Sequence, residues 1–482
     1  MRREAPSNPR KMKTSMVKIN AICSSSRLWA FAVLFLGVAA VARADEKPVS
    51  FYHDIRPIFN SDCNACHKPE KLKGELDMTT FSALMKGGKH GQALTPGDPA
   101  KSKLVDMISG DDPDMPKDGE ALSKEQVAII SRWIKDGAKD DTPAAGSQIV
   151  ETPVYTVPPV ISALAFSPDG SMLAVSGYHE ILLHKPDGSG LIARLIGESP
   201  RIESLAFSKD GKELAACGGA PAEFGQVQIW DPVAHKAIKT FDIGTDELYG
   251  VSIAPDQKSV AFGGTDKIVH RISLDTGKEM LDFRAHADWV LGTQFTHDGK
   301  QLVSCSRDKE LKLIDLETGR FIDDINNPVE ACISLAIHPK EEQILYGGDL
   351  GTAKLYRISD NQGRTAGRND TNLLQTFARQ PGPVTAVAIS PDGTSVALGS
   401  MGQVQVFAIG EGSKPIATLS GMSGPVYAVA YRPDGTAIAA GGSDGMVRLY
   451  DAKTGVLRNR FVPVPVSSPS TQPAQAAATP PQ

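Results

Sequence analysis

The sequence predicts a multidomain protein in which a small all-α domain is followed by an all-β propeller of seven blades. One observation is a Cys-x-x-Cys-His motif at Cys63–His67, set in a segment whose apolar residues recur at helical spacing. The other is a series of seven units, from about Val157 to Val462, which repeat roughly every 40 residues. With 482 residues, the chain has room for two or three such domains.

The segment 1–44 has the pattern of a secretory signal peptide. Basic residues precede an apolar run, Trp29–Val41, which ends in the small-residue cleavage pattern Ala42–Ala44. We predict a mature protein that begins at Asp45, is exported to the periplasm or cell surface, and has no stable membrane span. The run is too short to cross a bilayer comfortably. An uncleaved anchor, and a start at Met16 rather than the first methionine, stay open as alternatives.

The mature chain is acidic, which bears on its partners. The leader contains eight basic residues and one acidic residue, so its removal takes the net charge from −5 to about −12. An acidic protein is a poor match for the phosphate backbone, and we therefore expect no nucleic-acid partner. Cys217, Cys305 and Cys332 lie in apolar strand-like runs and are expected to be buried thiols. A Cys305–Cys332 disulfide is the alternative.

The Cys63-Asn64-Ala65-Cys66-His67 motif carries the strongest chemical signal in the chain. This spacing is typical of c-type haem attachment, in which each thiol bonds to one haem vinyl group and the adjacent histidine ligates the iron. A zinc site would need a second pair of ligands nearby, and the next cysteine is Cys217. A redox Cys-x-x-Cys would need a βαβ setting, which the pattern does not indicate.

Two helices and a distal ligand are expected around this motif. Apolar spacing before it predicts a first helix, and a capping box at Ser123–Gln126 predicts a last helix that stops at Gly137. We predict Met115 as the distal iron ligand because it lies in a loop before the last helix, with Pro116 stiffening the backbone. The competing methionines are Met78, Met85 and Met107, of which Met85 and Met107 lie in helical stretches, where a methionine usually fills a gap in the core. A second imidazole from His53 or His90, or an open site, stays possible as well.

The segment also resembles the planctomycete-type cytochrome c domain over about 90 residues. The resemblance rests on Phe51–Phe59 before the motif, on Pro96–Pro99 in the middle, and on Met115-Pro116 ahead of Trp133–Ala138. It implies a mono-haem domain over residues 45–138, with one covalent haem c. Cys63 and Cys66 would form the thioethers, His67 would be the proximal ligand and Met115 the distal one. The family brings no defined substrate.

Residues 157–462 resemble the WD-repeat family of propellers. Each unit has an apolar strand, a Pro-Asp-Gly-type turn, a small-residue strand and a strand that ends in a dipeptide such as Trp230-Asp231. The Asp position of the turn is occupied in order by Asp169, Asp210, Asp256, Asp298, Lys340, Asp392 and Asp434. The usual Gly-His appears only as Ala285-His286, so we expect an incomplete internal polar network. Asp266, Asp308 and Asp444 are expected to be structural.

The rest of the chain consists of connecting segments. The linker 139–156 and the Pro/Ser/Ala-rich tail 463–482 have flexible compositions. Insertions at Gly218–Gly225 and Asp360–Thr371 lengthen two blades, and either could carry a binding function or be inert. Phe224 is the residue of most interest there.

Three functions fit the sequence. The first is an exported cytochrome that passes electrons to or from a partner docked on the propeller or on the haem domain. The second is a haem-coupled propeller enzyme, a reductase or dehydrogenase, and the third is a non-redox scaffold. We favour the electron carrier or interaction protein over the enzyme because no catalytic constellation is evident in the propeller. The redox partner itself is not identifiable from the sequence.

Overall fold

The computed structural model describes residues 48–64, 66–67, 72–117, 121–141, 152–327, 329–358 and 370–466, apart from the side chain of His53. The predicted signal peptide, most of the second insertion and the tail beyond Val466 lie outside these residues. None of the helices in the described part of the chain has the length and hydrophobicity of a membrane span.

The N-terminal part of the described chain is a small helical domain. It opens with one wide helical turn, Phe51–Ile55, and includes short 3-10 turns at Lys73–Glu75 and Pro99–Lys101. Its four α-helices are α1 (Arg56–Asp62), α2 (Phe81–Lys86), α3 (Lys103–Ile108) and α4 (Lys124–Lys135).

The two helices expected from the sequence pack together in the core of this domain. The first helical segment buries its apolar face, and the Phe51 ring lies 5.3 Å from the Trp133 ring of α4. Ser123 begins α4 with a complete capping box, in which its hydroxyl accepts from Gln126 N and Gln126 Oε1 accepts from Ser123 N. These local signals were sufficient to predict both helices.

Twenty-seven antiparallel strands among the described residues form the second part of the chain, in six sheets. Five sheets have four strands each, and the first has seven because β4 runs from one blade into the next without a break. Blade 1 contains β1 (Leu164–Phe166), β2 (Leu173–Ser176), β3 (Tyr178–His184) and the start of β4 (Leu191–Phe207); blade 2 contains the end of β4, β5 (Leu214–Ala220), β6 (Phe224–Asp231) and β7 (Lys236–Asp242); blade 3 contains β8 (Leu248–Ile253), β9 (Ser259–Gly264), β10 (Val269–Ser273) and β11 (Glu279–Phe283).

The four remaining blades follow the same order. Blade 4 contains β12 (Val290–Phe295), β13 (Gln301–Ser306), β14 (Leu311–Asp315) and β15 (Phe321–Asp324); blade 5 contains β16 (Cys332–Ile337), β17 (Gln343–Gly348), β18 (Ala353–Arg357) and β19 (Leu373–Thr376); blade 6 contains β20 (Ala386–Ile389), β21 (Ser395–Gly399), β22 (Val404–Ala408) and β23 (Ala417–Leu419); blade 7 contains β24 (Val426–Tyr431), β25 (Ala437–Gly442), β26 (Val447–Asp451) and β27 (Leu457–Phe461).

The first strands of the seven blades are neighbours in a closed ring, from β1 through β4, β8, β12, β16, β20 and β24 back to β1. We expected closure through an outer strand of the last blade, supplied by Val154–Val157 or Val456–Phe461. In the structure Val456–Phe461 supplies that outer strand, as β27 paired with β26, whereas Tyr155 makes only a single parallel bridge to Val466. Packing of β1 against β24 closes the ring, helped by the bond from Ile161 N to Gly442 O.

The repeated Asp explains why the units recur in the sequence. In six of the units its Oδ1 accepts a hydrogen bond from the backbone N–H two residues later, at 2.9–3.1 Å. This bond fixes the turn between the first two strands of a blade. The Asp that ends the third strand acts similarly: Oδ1 of Asp231, Asp315 and Asp451 each accept from the N–H three residues on, at 2.7 Å.

The internal polar network is present in part, in agreement with the sequence. In blade 4, His286 bonds to Asp308 through Nδ1 and to Ser304 through Nε2, both at 2.8 Å, while Ile314 stands at the Trp position. Elsewhere the Asp takes a different partner. Asp266 bonds to His270 at 2.9 Å and Asp444 to Arg448 at 2.8 Å. All three aspartates are therefore structural, as expected.

Candidate functional site

The Cys-x-x-Cys-His residues are drawn together at the end of α1. Cys63 caps that helix, with its backbone N–H bonded to Phe59 O at 3.0 Å. The N–H groups of Cys66 and His67 both donate to Cys63 O at 3.1 Å, so the motif is a tight turn. His67 is then held from the other direction, because its carbonyl accepts from Met78 N at 2.8 Å.

A cavity of about 550 Å³ opens beside this turn. This volume falls within the range of cofactor sites in proteins, which is roughly 300–1,000 Å³. Its wall is mostly apolar, and its polar residues include the histidine of the motif. The lining contains Asp62, Cys63, Cys66, His67, Lys73, Gly74, Leu76, Met78, Gly88, His90, Gly91, Gln92, Ala93, Lys103, Leu104, Met107, Ile108, Asp114, Met115, Pro116, Lys117 and Leu122.

The thiols and the imidazole lie in a partly buried environment. Burial raises the pKa of the Cys63 thiol to about 12, and the neighbouring Asp62 carboxylate adds to the effect, so this sulfur is a neutral thiol at physiological pH. The Nδ1 atom of His67 is buried without a hydrogen-bond partner among the described residues. Burying a ring nitrogen without a hydrogen-bond partner lowers the stability of the folded protein, so such an atom needs an explanation.

Three of the four candidate methionines line the cavity. Met115 does so from the loop before α4, and its backbone N–H donates to Met107 O at 2.9 Å. Met107 and the buried Met78 share the lining, although we expected Met107 to fill a core gap. Met85 packs against the domain core and is absent from the lining, as expected. The positions of Met78 and Met107 depend on chain folding and carried no sequence signal.

The two candidate histidines differ in their placement. His90 lines the cavity, close to the glycines of a small turn at Gly88–Gly91, and stays a candidate distal ligand. The side chain of His53 lies outside the described part of the chain. A role for His53 as ligand therefore stays a sequence-based hypothesis.

The residues present suit a c-type haem. Two thiols at the Cys-x-x-Cys spacing and an imidazole with an unpartnered ring nitrogen line a mostly apolar cavity of adequate size. A sulfur ligand is available from a second loop. A zinc knuckle is a poorer match, because the described residues around Cys63 and Cys66 do not form a close group of three metal ligands. The group of this kind among the described residues is His286, Asp308 and Glu310, in the propeller.

That propeller group is already satisfied by hydrogen bonds. Both nitrogens of His286 are bonded to Asp308 and Ser304, and Glu310 pairs with Lys312 at 2.5 Å. The propeller histidines have no metal-ligand spacing in the sequence. The sequence could not reveal this group, because strand pairing brings its members together. Its bonding indicates a structural role within blade 4.

The propeller has a channel along its axis of about 270 Å³. The channel hydroxyls donate to strand carbonyls: Thr293 Oγ1 bonds to Gly250 O at 2.7 Å, and Ser334 Oγ bonds to Val384 O at 2.8 Å. Among the described residues, Glu203 is the one carboxylate of the lining. Burial raises its pKa to about 7, with a further contribution from the charge of Glu247.

An aromatic cluster lies beside the channel, where blades 3 and 4 begin. The rings of Tyr249 and Trp289 stack with centroids 6.2 Å apart, and the Arg307 guanidinium lies 4.7 Å from the Trp289 ring. Trp289 is 37% exposed. Exposed Trp, Tyr and Arg residues are the types enriched at protein interfaces.

The remaining residues singled out from the sequence have ordinary roles. The first insertion is a hairpin that extends β5 and β6, rather than a free loop, and Phe224 pairs with Ala220. Cys217, Cys305 and Cys332 are buried free thiols, as expected, so the Cys305–Cys332 disulfide does not form in this structure.

Two family models match parts of the chain. A model described as planctomycete cytochrome C matches residues 63–119, which include the whole attachment motif and Met115. A model described as the N-terminal domain of nucleolar protein 10-like proteins, a β-propeller, matches residues 291–455, within blades 4 to 7.

Similar curated proteins are WD-repeat proteins and related eukaryotic subunits. Eukaryotic translation initiation factor 3 subunit I of Candida glabrata is 24% identical over 184 residues, covering 37% of this chain and 50% of that protein. WD repeat-containing protein 55 of Arabidopsis thaliana is 27% identical over 118 residues, covering 24% and 33%. Target of rapamycin complex subunit wat1 of Schizosaccharomyces pombe is 20% identical over 177 residues, covering 36% and 52%.

This chain thus matches about half, or less, of the length of these relatives. The similarity and the sheet topology agree on the nature of the larger part of the chain. It is a mostly β protein with a propeller similar to those of WD-repeat proteins, preceded by a segment that matches a planctomycete cytochrome c family model.

Proposed function

We propose that this protein is an exported mono-haem c-type cytochrome whose propeller docks a protein partner, and that it transfers electrons to or from that partner. The observation that carries the proposal is the shared cavity. Cys63, Cys66 and His67 lie on it from one turn, and Met115 lies on it from another loop. The match of this segment to the planctomycete cytochrome family model supports the same function.

Each residue of the site would hold the haem in a different way. Cys63 and Cys66 would form the thioether bonds, His67 would be the proximal ligand and Met115 the distal ligand. Apolar residues such as Leu104 and Ile108 keep water away from the cavity. When bound, a haem with His/Met ligation supplies a one-electron couple of raised potential and has no open coordination position, which favours electron transfer over substrate chemistry.

The propeller supplies the proposed docking surface. Proteins similar to it are named as subunits of larger assemblies, such as an initiation factor and a rapamycin-target complex. The Tyr249–Trp289–Arg307 cluster offers a partly exposed aromatic and cationic surface of residue types found at the centre of interfaces. We place partner docking there.

The non-redox scaffold is the second candidate, favoured by the same relatives, since they are WD-repeat proteins. The decisive experiment uses protein secreted with its own leader by a host that matures c-type cytochromes. A pyridine haemochrome spectrum after acid-acetone extraction should show one covalent haem c per chain. If extraction removes all haem, or none was present, the scaffold function replaces the proposal.

A second arm identifies the attachment residues. Cys66→Ala should yield protein with weakened covalent attachment, and His67→Ala should keep the thioethers but change the axial ligation and therefore the spectrum. Cys217→Ala is the matched control, because this thiol is buried in the propeller away from the cavity. An identical loss of haem in the control would contradict the assignment.

A further inference from the structure

The helical domain contacts the propeller at a cluster of polar groups on blades 1 and 2. Glu198 lies in the stretch of β4 that crosses between these blades, and it is partly buried. The Tyr52 hydroxyl of the helical domain contacts Glu198 Oε1, and Gln226 Nε2 donates to Glu198 Oε2 at 3.0 Å. The backbone carbonyl of Glu198 bonds to His179 Nδ1 at 2.7 Å.

An ion pair adjoins this contact. Arg56 Nη2 lies 3.1 Å from Asp242 Oδ2 on the last strand of blade 2, and its guanidinium lies 4.7 Å from the Tyr52 ring. The Gln226 amide also donates to Asp242 Oδ1 at 2.8 Å. One amide therefore bridges two carboxyl groups, each of which faces a side chain of the helical domain. We call Glu198, Gln226 and Asp242 the docking cluster.

The docking cluster holds the start of the helix that carries the attachment motif. Arg56 is the first residue of α1, and α1 ends at Asp62, one residue before Cys63. A change in the contact would therefore act on the position of the whole helical domain, and of its cavity, relative to the blades.

We propose that the docking cluster is a proton-dependent interaction surface, on which protonation of Glu198 strengthens docking of the helical domain and its ionisation weakens docking. Glu198 and Asp242 share the donor Gln226, and the Arg56 cation pairs with Asp242. Two neighbouring ionised carboxylates repel, whereas a protonated Glu198 removes this repulsion and can still accept the bonds from Tyr52 and Gln226.

The pKa of Glu198 also favours stronger docking at low pH. Burial raises its pKa to about 7, the Gln226 hydrogen bond opposes this, and the charge of Asp242 adds to it. The neighbouring polar groups at the contact are the Tyr52 hydroxyl, His179, and Asp141, whose Oδ1 accepts from Tyr52 N at 3.0 Å. A raised pKa in the docked state means that docking is strongest below the ordinary glutamate pKa and weakens as the pH rises through about 7.

Small-angle X-ray scattering of the full secreted chain between pH 5 and 9, at constant ionic strength, tests this inference. The radius of gyration should increase with pH, because the docking equilibrium constant falls by up to about 300-fold if the whole pKa difference arises from docking. Glu198→Gln, which mimics the protonated side chain, should stay compact at every pH. Arg56→Gln should be expanded at both ends of the range.

Glu317→Gln is the matched control, because Glu317 is an exposed glutamate on blade 4, and it should follow the unmodified protein. A radius of gyration that is constant with pH in the unmodified protein overturns the inference. A Glu198→Gln protein that expands with pH like the unmodified protein also overturns it. The measurement needs no haem signal, so its failure would leave the proposed function untouched.

Discussion

At the scale of single residues, some of the groups that line the cavity of the helical domain can be recognised from the sequence and others cannot. Cys63, Cys66 and His67 are neighbours in the chain, so one short turn brings them together and their motif is evident directly. Met78 and Met107 reach the same cavity only because of the way the helices pack. The distal ligand of the proposed haem would therefore have three sulfur candidates, and loop placement before α4 favours Met115.

Substitution of Met115 tests that preference. Met115→Ala should abolish the Met–iron charge-transfer band of the oxidised protein, lower the reduction potential and allow small exogenous ligands to bind, because the distal sulfur is lost. Visible spectroscopy and a redox titration measure these effects.

Met85→Ala is the control, since Met85 packs on the core away from the cavity. It should lower the free energy of unfolding by about 1–3 kcal/mol and leave the band in place. If Met115→Ala keeps the band and Met107→Ala or Met78→Ala loses it, the distal ligand is the methionine whose loss removes the band. A low-spin unmodified protein without the band would instead indicate a histidine ligand such as His90.

At the scale of secondary-structure elements, the most predictable features are those set by neighbours in sequence. The capping box of α4 and the Asp turns of the blades need only residues two or three positions apart, and both were predicted from the sequence. The outer strand of the last blade was predicted as one of two segments and is formed by one of them, whereas the contact that closes the ring had no local signal, because it joins β1 and β24, about 260 residues apart. The bonding of Glu198 and Asp242 to the helical domain had no local signal either.

The capping box supplies a prediction for the helical domain. Ser123→Ala should lower the free energy of unfolding of this domain by about 1 kcal/mol, because Gln126 N would lose its acceptor. Lys124→Ala, one residue later in the same helix, is the control and should change it by less than about 0.5 kcal/mol. Thermal or chemical denaturation followed by circular dichroism measures both. Equal effects for the two variants would contradict a role for the cap.

The Asp turns supply a prediction for the propeller. Hydrogen bonds from Ser167, Ser171 and their counterparts lower the pKa values of Asp169, Asp298, Asp392 and further turn aspartates below the usual range. A lowered pKa in the folded state gives stability that is present above the unfolded-state pKa of about 3.9 and is lost as the pH falls below it. The stability contributed by these aspartates should therefore be constant from pH 6 to 5, and the denaturation midpoint of the propeller should fall steeply below about pH 4.

A single turn tests the origin of this acid sensitivity. Asp392→Ala should cost about 1 kcal/mol at pH 7 and flatten part of the decline below pH 4, since the ionised acceptor of Ser390 and Thr394 is gone. Asp275→Ala, at a highly exposed aspartate, should do neither. Urea denaturation at several pH values distinguishes the two, and an unchanged pH profile in Asp392→Ala would contradict the assignment.

At the scale of the whole molecule, the chain joins a small domain with a cofactor-sized cavity to a propeller similar to those of WD-repeat proteins. The polar contact of Tyr52 and Arg56 with blades 1 and 2 links the two parts at the start of α1. In the proposed function, the propeller binds the partner and holds the redox domain near it. Electron transfer then requires that the small domain contain a haem that accepts and returns one electron without binding substrate.

An anaerobic redox titration of the purified secreted protein, followed by visible spectra, tests that requirement most directly. We predict a single one-electron transition with low-spin c-type spectra in both states, and no spectral change of the reduced protein on addition of carbon monoxide, because both axial positions are filled. A protein without haem bands, or a high-spin haem that binds carbon monoxide readily, would contradict the proposed electron transfer.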